Sequence, residues 1–363
     1  MKKLFIAATR QNDGKTTIAL GLILNLKEHF PKIGFIKPIG QRYLVEEGYK
    51  VDEDSVLIEK VCKFTVPLKD LNPIAVERGF TERYIQNPQP DKISAQIMEA
   101  FEKISANSDL VIIEGTGHAG VGSVFDHSNA RVARMLGAKV ILISSGGIGR
   151  PIDEIVLNRS LFEKEKADCL GVIINKVLKE KYEKIAKVVR LGLKRQNINE
   201  LGIIPYNPIL SAPTIEQISE EMQLPFLGGE EKKSNLVEKI IIGAMEPHEA
   251  LKYIHKNTLV VTPGDREDII LAAIGSHLIP DSRSQTSIAG ILLTGGIVPD
   301  SRILNMIKRV KIPLLISGED TYTTTSKLHD LSVKLRPCDV NKIQLIKDMV
   351  AQYVDIAGLL EYV

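Results

Sequence analysis

The chain has 363 residues, which is longer than one ordinary domain and predicts two. Hydrophobic residues make up 44%, enough for ordinary globular cores, and a formal net charge of only +2 argues against binding nucleic acid or an anionic membrane through bulk charge. The three cysteines, Cys62, Cys169 and Cys338, form no CxxC pair, which argues against a zinc site or a disulfide scaffold and fits a reducing cytoplasm.

The first residues are apolar, but this run is too short for a signal peptide because Arg10 and Asp13 interrupt it. No stretch approaches the roughly 18 apolar residues that a membrane-spanning helix needs. We therefore expect a cytoplasmic protein that binds neither nucleic acid nor a membrane.

Residues 1–226 alternate continuous apolar runs with segments of helical periodicity. The runs predict strands at Leu4–Thr9, Ile33–Lys37, Leu110–Glu114, Lys139–Ser144, Gly171–Asn175 and Gly202–Pro205. Helices are predicted between them, for example at Lys15–Glu28, Asn129–Leu136, Ile152–Glu165 and Lys179–Gln196. Continuous β-branched and aliphatic runs are typical of parallel strands buried on both faces. The alternation therefore predicts an α/β fold with a doubly wound parallel sheet.

The residues after the first predicted strand open a helix and read Ala8-Thr9-Arg10-Gln11-Asn12-Asp13-Gly14-Lys15-Thr16-Thr17. A phosphate-binding P-loop requires this context, because backbone N–H groups at a helix N-terminus bind phosphate oxygens. The match to GxxxxGK[ST] is imperfect, since Thr9 replaces the first glycine. A longer spacing that begins at Ala8 fits better.

The side chains of this loop suggest individual roles. Lys15 is predicted to bridge the β- and γ-phosphates and to act in catalysis, and Thr16 is predicted to offer its hydroxyl to Mg²⁺. The predicted nucleotide-binding residues of the loop are Gln11, Asn12, Asp13, Gly14, Lys15, Thr16 and Thr17. The alternative is a glycine turn followed by an exposed lysine.

A second signal is the run from Asp109 to Gly115, an apolar strand that ends in an acid, as in a Walker-B motif. Glu114 is predicted to lie near the P-loop, at the carboxyl end of a buried strand, and to hold Mg²⁺ directly or through water. The alternative is a strand-end carboxylate that faces solvent.

With these motifs, residues 1–226 resemble dethiobiotin synthetase, a family with a G-x5-G-K-T loop and a second strand that ends in Lys-Pro, here Lys37-Pro38. The resemblance implies that Lys37 is catalytic and stabilises negative charge on the substrate carbamate and the transferred phosphoryl group. An ordinary surface lysine is the alternative. The resemblance also implies a homodimer, because that family builds its substrate site across a dimer interface.

The same resemblance implies a third magnesium ligand. In that family an aspartate joins the P-loop threonine and the Walker-B acid at Mg²⁺. We assign this role to Asp54, with Asp52 as a competitor that the spacing leaves open. A solvated acidic loop is the alternative.

The resemblance also implies where the base of the nucleotide is read. Asn175, at the end of the fifth predicted strand, is implied to contact the purine, and Pro205 and Asn207 lie in a stretch that resembles the loop over the base. Asn175 and Lys176 also begin the guanine motif NKxD. Leu178 replaces the aspartate of that motif, which favours ATP over GTP as the cofactor, together with Mg²⁺.

The chain departs from the dethiobiotin synthetase pattern where that family holds its amino-acid substrate. The P-loop carries Arg10 and Gln11 instead of acidic and hydroxyl residues, and Gln41 replaces a small hydroxyl residue after the Lys-Pro pair. His118 lies in a glycine-rich loop after Glu114, where it is either a general base, a phosphate contact or a solvated side chain. These departures leave ATP binding intact and argue against biotin precursor chemistry.

After residue 226 the pattern breaks and then resumes on a smaller scale. The stretch Leu227–Ser234 contains glycines, charges and serine and predicts a linker. Residues 235–363, with a core at about 245–350, predict a second, smaller α/β domain. Its predicted strands are Thr258–Val261, Ile288–Leu293 and Pro313–Ile316, and its predicted helices are Arg266–Ile274, Ser301–Val310 and Thr321–Leu331.

Two motifs of this second domain, Thr262–Asp268 and Leu293–Gly296, match the DRTGG domain. Glycine-rich turns from strand to helix can bind anions, whereas Asp265 and Arg266 could instead pair with each other or cap the helix. A dethiobiotin-synthetase-like domain followed by a DRTGG domain resembles the N-terminal region of long bacterial phosphotransacetylases. In that family these modules are thought to be regulatory.

Three functions follow from these resemblances. The first is an ATP-dependent ligase or phosphoryl-transfer reaction on a carboxylate or carbamate that the sequence does not identify. The second is a nucleotide-sensing regulatory module, with the DRTGG domain as its effector or assembly element. The small-molecule substrate or effector is not identified by the sequence, and a separate enzyme is a candidate partner. The third is amidation of the cobyrinic acid a,c-diamide synthase type.

Overall fold

The computed structural model describes residues 1–278, 288–331 and 333–362. Residues 279–287, 332 and 363 belong to the second domain predicted from the sequence and lie outside the described residues. The strands are β1 (Lys2–Ala8), β2 (Ile33–Ile36), β3 (Ile39–Gly40), β4 (Tyr43–Glu46), β5 (Tyr49–Asp52), β6 (Ile74–Ala75), β7 (Leu110–Glu114), β8 (Lys139–Ser145), β9 (Cys169–Val177), β10 (Glu200–Pro205), β11 (Phe226–Gly228), β12 (Lys239–Ile242), β13 (Thr258–Pro263), β14 (Gly290–Thr294) and β15 (Leu314–Ile316).

The α-helices lie mainly between these strands. They are α1 (Lys15–Leu26), α2 (Glu53–Cys62), α3 (Leu68–Leu71), α4 (Phe80–Gln86), α5 (Pro90–Ser105), α6 (Asn129–Leu136), α7 (Gly149–Lys164), α8 (Tyr182–Arg195), α9 (Pro208–Ser211), α10 (Ile215–Met222), α11 (Pro247–Ala250), α12 (Glu267–Leu278), α13 (Ser301–Val310), α14 (Thr321–His329), α15 (Val340–Tyr353) and α16 (Ile356–Tyr362). Over the described ranges, the helices lack the combination of length and apolarity that crossing a membrane requires.

The chain forms two compact units. Unit 1 contains Met1–Asn207 and Leu335–Val363, and unit 2 contains Pro208–Lys334. The sequence had suggested domains at 1–226 and 235–363, so the structure differs at both ends of the second domain. The C-terminal helices belong to unit 1, where α15 buries Ile346 and Val350.

The central sheet of unit 1 has the strand order β10-β9-β8-β1-β7-β2 and is parallel throughout. Its strands are the six that the apolar runs predict, with ends shifted by at most two residues. Residues Leu4–Ala8 of β1 have no exposed surface, as expected for a strand with helices on both faces of its sheet. The predicted α/β fold is confirmed.

The parallel order brings the carboxyl ends of the strands to one edge of the sheet. Ligands of open α/β sheets bind at this edge, in the crevice beyond the strand ends. The P-loop after β1, Lys37 after β2, Glu114 at the end of β7 and Asn175 near the end of β9 all lie at this edge.

In the C-terminal segment, helix α15 packs against α1, the helix that follows the P-loop. Asn25 on α1 donates a hydrogen bond of 3.0 Å to the carbonyl of Lys347 on α15. A side chain at Gly21 would overlap Val350, so the two helices touch at a glycine. The N–H of Asp355 donates a hydrogen bond of 2.8 Å to the carbonyl of Leu201 in the edge strand β10.

Unit 2 is a smaller α/β layer with the strand order β11-β15-β14-β13-β12. Strands β12 to β15 are parallel and β11 pairs antiparallel with β15. The segment Leu227–Ser234 predicted as a linker therefore begins inside this sheet. Gly229 adopts φ 70 beside the carbonyl of Ile312, where any side chain would collide, so the glycines here serve a tight turn.

Candidate functional site

The P-loop is closed by its own aspartate. The Asp13 carboxylate accepts hydrogen bonds from the Thr9 hydroxyl at 2.9 Å, from the Arg10 N–H at 2.8 Å and from the Ser145 hydroxyl. Burial raises the pKa of Asp13, while the hydrogen bonds from Ser145 and Thr9 act in the opposite direction. Since three donors occupy the side chain, Asp13 offers a phosphate only its backbone.

Helix α1 begins directly after this loop. Gly14 precedes it at φ 98, a conformation that favours glycine, and the carbonyl of Gly14 accepts the N–H of Ile18 at 2.9 Å. Lys15 is the first residue of the helix and is largely buried, and burial lowers the pKa of its ammonium group against the opposing charge of Glu114. The helix N-terminus and the Lys15 ammonium together favour an anion here.

Glu114 lies beneath the P-loop and is fully buried. Its Oε1 accepts a hydrogen bond of 3.0 Å from the Thr16 hydroxyl and lies 3.4 Å from Lys37 Nζ. Its Oε2 is buried without a hydrogen-bond partner among the described residues. Burial raises the pKa of Glu114, and the positive charge of Lys37 lowers it in part. A buried carboxylate oxygen without a hydrogen-bond partner is suited to act as a ligand of a bound cation.

Lys37 is surrounded by carboxylates. Besides Glu114, its ammonium group lies 2.8 Å from Asp52 Oδ1 and forms an ion pair with Asp54. Burial alone would lower the pKa of Lys37, but the neighbouring negative charges outweigh it and the pKa is raised. Lys37 is therefore a buried, permanently charged cation and not a surface lysine.

The two candidate aspartates occupy different positions at the start of α2. Asp52 is the N-cap residue and accepts hydrogen bonds from the backbone N–H groups of Asp54, Gln41 and Arg42. The Asp54 side chain is 13% exposed, against 2% for Asp52. The role of Asp54 as a magnesium ligand stays a prediction.

Magnesium is implied by the motif, and the donor set is consistent with it in part. Thr16 and Glu114 present oxygens at one place. Within residues 1–278, 288–331 and 333–362, however, His, Cys, Asp and Glu form no cluster of three that could hold a metal ion by themselves. The carboxylates of Asp52, Asp54 and Glu114 instead surround Lys37.

Asn175 contacts the P-loop from β9, which is separated from β1 by β8 in the sheet. Its Nδ2 donates a hydrogen bond of 2.9 Å to the backbone carbonyl of Asp13, and its Oδ1 accepts the Lys176 N–H at 2.9 Å. Pro205 ends β10, and Asn207 is two residues beyond it. The predicted contacts of Asn175, Pro205 and Asn207 with a base stay predictions.

The remaining predicted loop residues differ in exposure. Gln11 and Asn12 are exposed and Thr17 is half-buried. Asn12 adopts φ 64, and its carbonyl accepts a hydrogen bond of 2.6 Å from Lys176 Nζ. Lys176 was not among the predicted site residues, because only the motif NKxD draws attention to it and that motif is incomplete here.

A second residue that the sequence did not reveal is Asn129, at the start of α6. Its Oδ1 accepts a hydrogen bond of 3.1 Å from the N–H of Thr116. Its Nδ2 donates to the carbonyls of Thr116 and His118, each at 2.7 Å. It thereby shapes the glycine-rich loop after Glu114. His118 is exposed, and its Nδ1 accepts the N–H of Gly120 at 3.2 Å.

Comparison with known families fits this geometry. Residues 2–214 match AAA_26, an AAA domain family, and residues 217–331 match the DRTGG domain. The first match covers more than half of the chain. The chain belongs to the AAA_26 family. The predicted order of a P-loop domain followed by a DRTGG domain is confirmed.

The chain is also similar to curated phosphate acetyltransferases. It is 30% identical over 375 residues to the enzyme of Pseudomonas putida, and this alignment covers 99% of this chain and 51% of that protein. It is 27% identical over 365 residues to the enzyme of Nitratidesulfovibrio vulgaris, covering 98% of this chain and 51% of that protein. The chain spans about half the length of the curated relatives it matches.

Among solved structures, the chain is similar in part to the MinC:MinD cell division protein complex of Aquifex aeolicus. The identity is 18%, the TM-score is 0.38, and the match covers 58% of this chain and 84% of the other.

Proposed function

We propose that this protein is an Mg-ATP-binding regulatory module, with the nucleotide held at the P-loop of unit 1. The observation that supports it best is the convergence of Lys15, Thr16 and Lys37 on Glu114, which has one buried oxygen without a hydrogen-bond partner among the described residues. Such a group of two ammonium ions, a hydroxyl and a carboxylate matches the charges of a metal-bound triphosphate.

Each residue would have a separate task. The N-terminus of α1 and the Lys15 ammonium would bind phosphate oxygens. Thr16 and Glu114 would hold the magnesium ion, with Asp54 as a further ligand. The ion, when bound, supplies charge neutralisation on the phosphates. The regulatory role is supported by the similarity to phosphate acetyltransferases and by the DRTGG domain, which accompanies the P-loop domain.

The experiment is a calorimetric titration of the purified chain with ATP and with GTP, in Mg²⁺ and in EDTA. We expect saturable binding that prefers ATP, needs Mg²⁺ for full affinity, and is weakened at least about tenfold by Lys15→Ala. Lys184→Ala is the matched control, because Lys184 is an exposed lysine of α8. Absence of binding by the unaltered chain would overturn the proposal.

A second candidate is ATP-dependent phosphoryl transfer to a carboxylate or carbamate. The burial of Lys37 beside Glu114 favours it, because a fixed cation there could stabilise charge on a transferring phosphoryl group. Release of ADP, measured alone and with diaminopelargonate plus bicarbonate, separates the two candidates. Turnover by the unaltered chain supports transfer, whereas tight binding without turnover supports the regulatory module.

A further inference from the structure

Two consecutive residues near the end of β9 donate side-chain hydrogen bonds to two consecutive backbone carbonyl groups of the P-loop. Asn175 Nδ2 donates to the carbonyl of Asp13 at 2.9 Å, and Lys176 Nζ donates to the carbonyl of Asn12 at 2.6 Å. We propose that Asn175 and Lys176 are positioning residues that set the peptide planes of the P-loop for phosphate binding. The inference rests on the proposed nucleotide site and gives Asn175 a role other than reading the base.

An ordinary strand would not place both side chains on one loop, because successive side chains point to opposite faces. Lys176 escapes this rule by adopting φ 59, in the left-handed region that side chains other than glycine rarely occupy. The pairing of β9 with β10 is also irregular here, since the register shifts between Ile203 and Pro205, the partner of Val177. The local irregularity turns Lys176 toward the loop that Asn175 already contacts.

The consequence for the loop follows from peptide geometry. In a planar trans peptide the C=O and the N–H point in opposite directions. Fixing the carbonyls of Asn12 and Asp13 toward β9 therefore directs the N–H groups of Asp13 and Gly14 away from β9. Neither N–H donates a hydrogen bond to another described residue. Two aligned donors of this kind form an anion-binding concavity.

Gly14 is required by the same arrangement. A Cβ atom at this position would overlap the Nδ2 atom of Asn175, and φ 98 already disfavours a side chain. The glycine of the GKT motif thus allows both the turn into α1 and the approach of the asparagine.

The test uses the full chain with three variants. Lys176→Gly removes the ammonium group and introduces the residue that adopts φ 59 most easily. Asn175→Ala removes the second hydrogen bond. Lys166→Gly is the matched control, because Lys166 is an exposed lysine at φ 58 that lies outside the P-loop contacts.

The first measurement is amide hydrogen exchange of residues 9–17 in the nucleotide-free chain. We expect faster exchange in Lys176→Gly and Asn175→Ala and no change in Lys166→Gly. Unchanged exchange in both P-loop variants would overturn the inference. Because no nucleotide is present, this readout is independent of the proposed function.

The second measurement is the affinity for ATP and GTP and the ratio between them. We expect each P-loop variant to lose about tenfold for both nucleotides, with the ratio unchanged. A changed ratio in Asn175→Ala without a shared loss would assign Asn175 to the base and overturn the inference. If the unaltered chain binds neither nucleotide while exchange responds as expected, the positioning stands and the proposed function fails.

Discussion

Lys37 Nζ lies 3.4 Å from Glu114 Oε1, and both side chains are enclosed by the protein. A buried ion pair is weak evidence of stability, but removing one partner leaves an uncompensated buried charge. Lys37 is the shared counterion of Glu114, Asp52 and Asp54. Its loss would leave negative charge concentrated under the P-loop.

Lys37→Met is expected to lower the free energy of unfolding by about 3–5 kcal/mol near pH 8. Lys37 lowers the pKa of Glu114, so the variant raises that pKa further above its ordinary value. A carboxyl whose pKa is raised by folding contributes stability below its unfolded pKa and loses it as pH rises through the folded pKa. The loss in free energy of unfolding caused by Lys37→Met, relative to the unaltered chain, should therefore be smaller at pH 5 than at pH 8.

Urea unfolding at pH 5, 6, 7 and 8 measures this deficit. Lys184→Met, on the exposed face of α8, is the control and should show little loss at any of these pH values. An equal deficit for Lys37→Met at pH 5 and pH 8 would contradict the role of Glu114 in the effect.

Thr16 provides a test of the magnesium assignment. Thr16→Val removes the hydroxyl that donates to Glu114, whereas Thr16→Ser keeps it. We expect valine to weaken ATP binding in Mg²⁺ by about tenfold or more, and serine to bind nearly normally. In EDTA the three proteins should bind ATP alike. A valine variant that loses the same affinity with and without Mg²⁺ would place the hydroxyl on the nucleotide instead.

The parts of this site that could be predicted are those carried by local signals. Long apolar runs define the six strands. Glu114 ends β7, Lys37 directly follows β2, and Lys15 and Thr16 begin the helix that the loop after β1 leads into. Parallel strand ends meet at one edge, so their proximity follows from the fold class. Whether Lys37 pairs with Asp52, with Asp54 or with both depends on the cap of α2, which spacing alone does not determine.

The parts that could not be predicted depend on contacts between distant residues. Asn175 and Asp13 are far apart in the chain, and no residue pattern indicates that the asparagine amide bonds the P-loop carbonyl. The C-terminal boundary was misplaced for the same reason, because α15 has an ordinary amphipathic pattern that does not reveal which domain covers it. Gly21 on α1 marks the contact, but a lone helical glycine is an ambiguous signal.

Two helical glycines should respond in opposite directions to alanine. Replacing glycine with alanine inside a helix normally stabilises by roughly 0.5–1 kcal/mol. Among the described residues, no atom lies within 4 Å of where the Cβ of an alanine at Gly275 on α12 would lie, so Gly275→Ala should show this gain. Gly21→Ala should destabilise by about 1–3 kcal/mol, because the methyl group would overlap Val350 and force α15 to shift. Chemical unfolding of the two variants tests the pair, and stabilisation by Gly21→Ala would contradict the close packing of α1 on α15.

A fragment that ends at residue 226 tests the division of the chain most directly. It contains the whole domain predicted from the sequence but lacks α15, whose Ile346, Met349 and Val350 are buried in unit 1. Each such side chain contributes about 1.5–3 kcal/mol when fully buried, a large part of the stability of an ordinary domain. The fragment should therefore unfold at a lower temperature than the full chain and exchange the amide hydrogens of α1 rapidly. Coexpression with a peptide of residues 335–363 should restore protection of α1, whereas the same peptide with Val350→Asp should not. A fragment that is as stable alone as within the full chain would show that α15 is dispensable for unit 1.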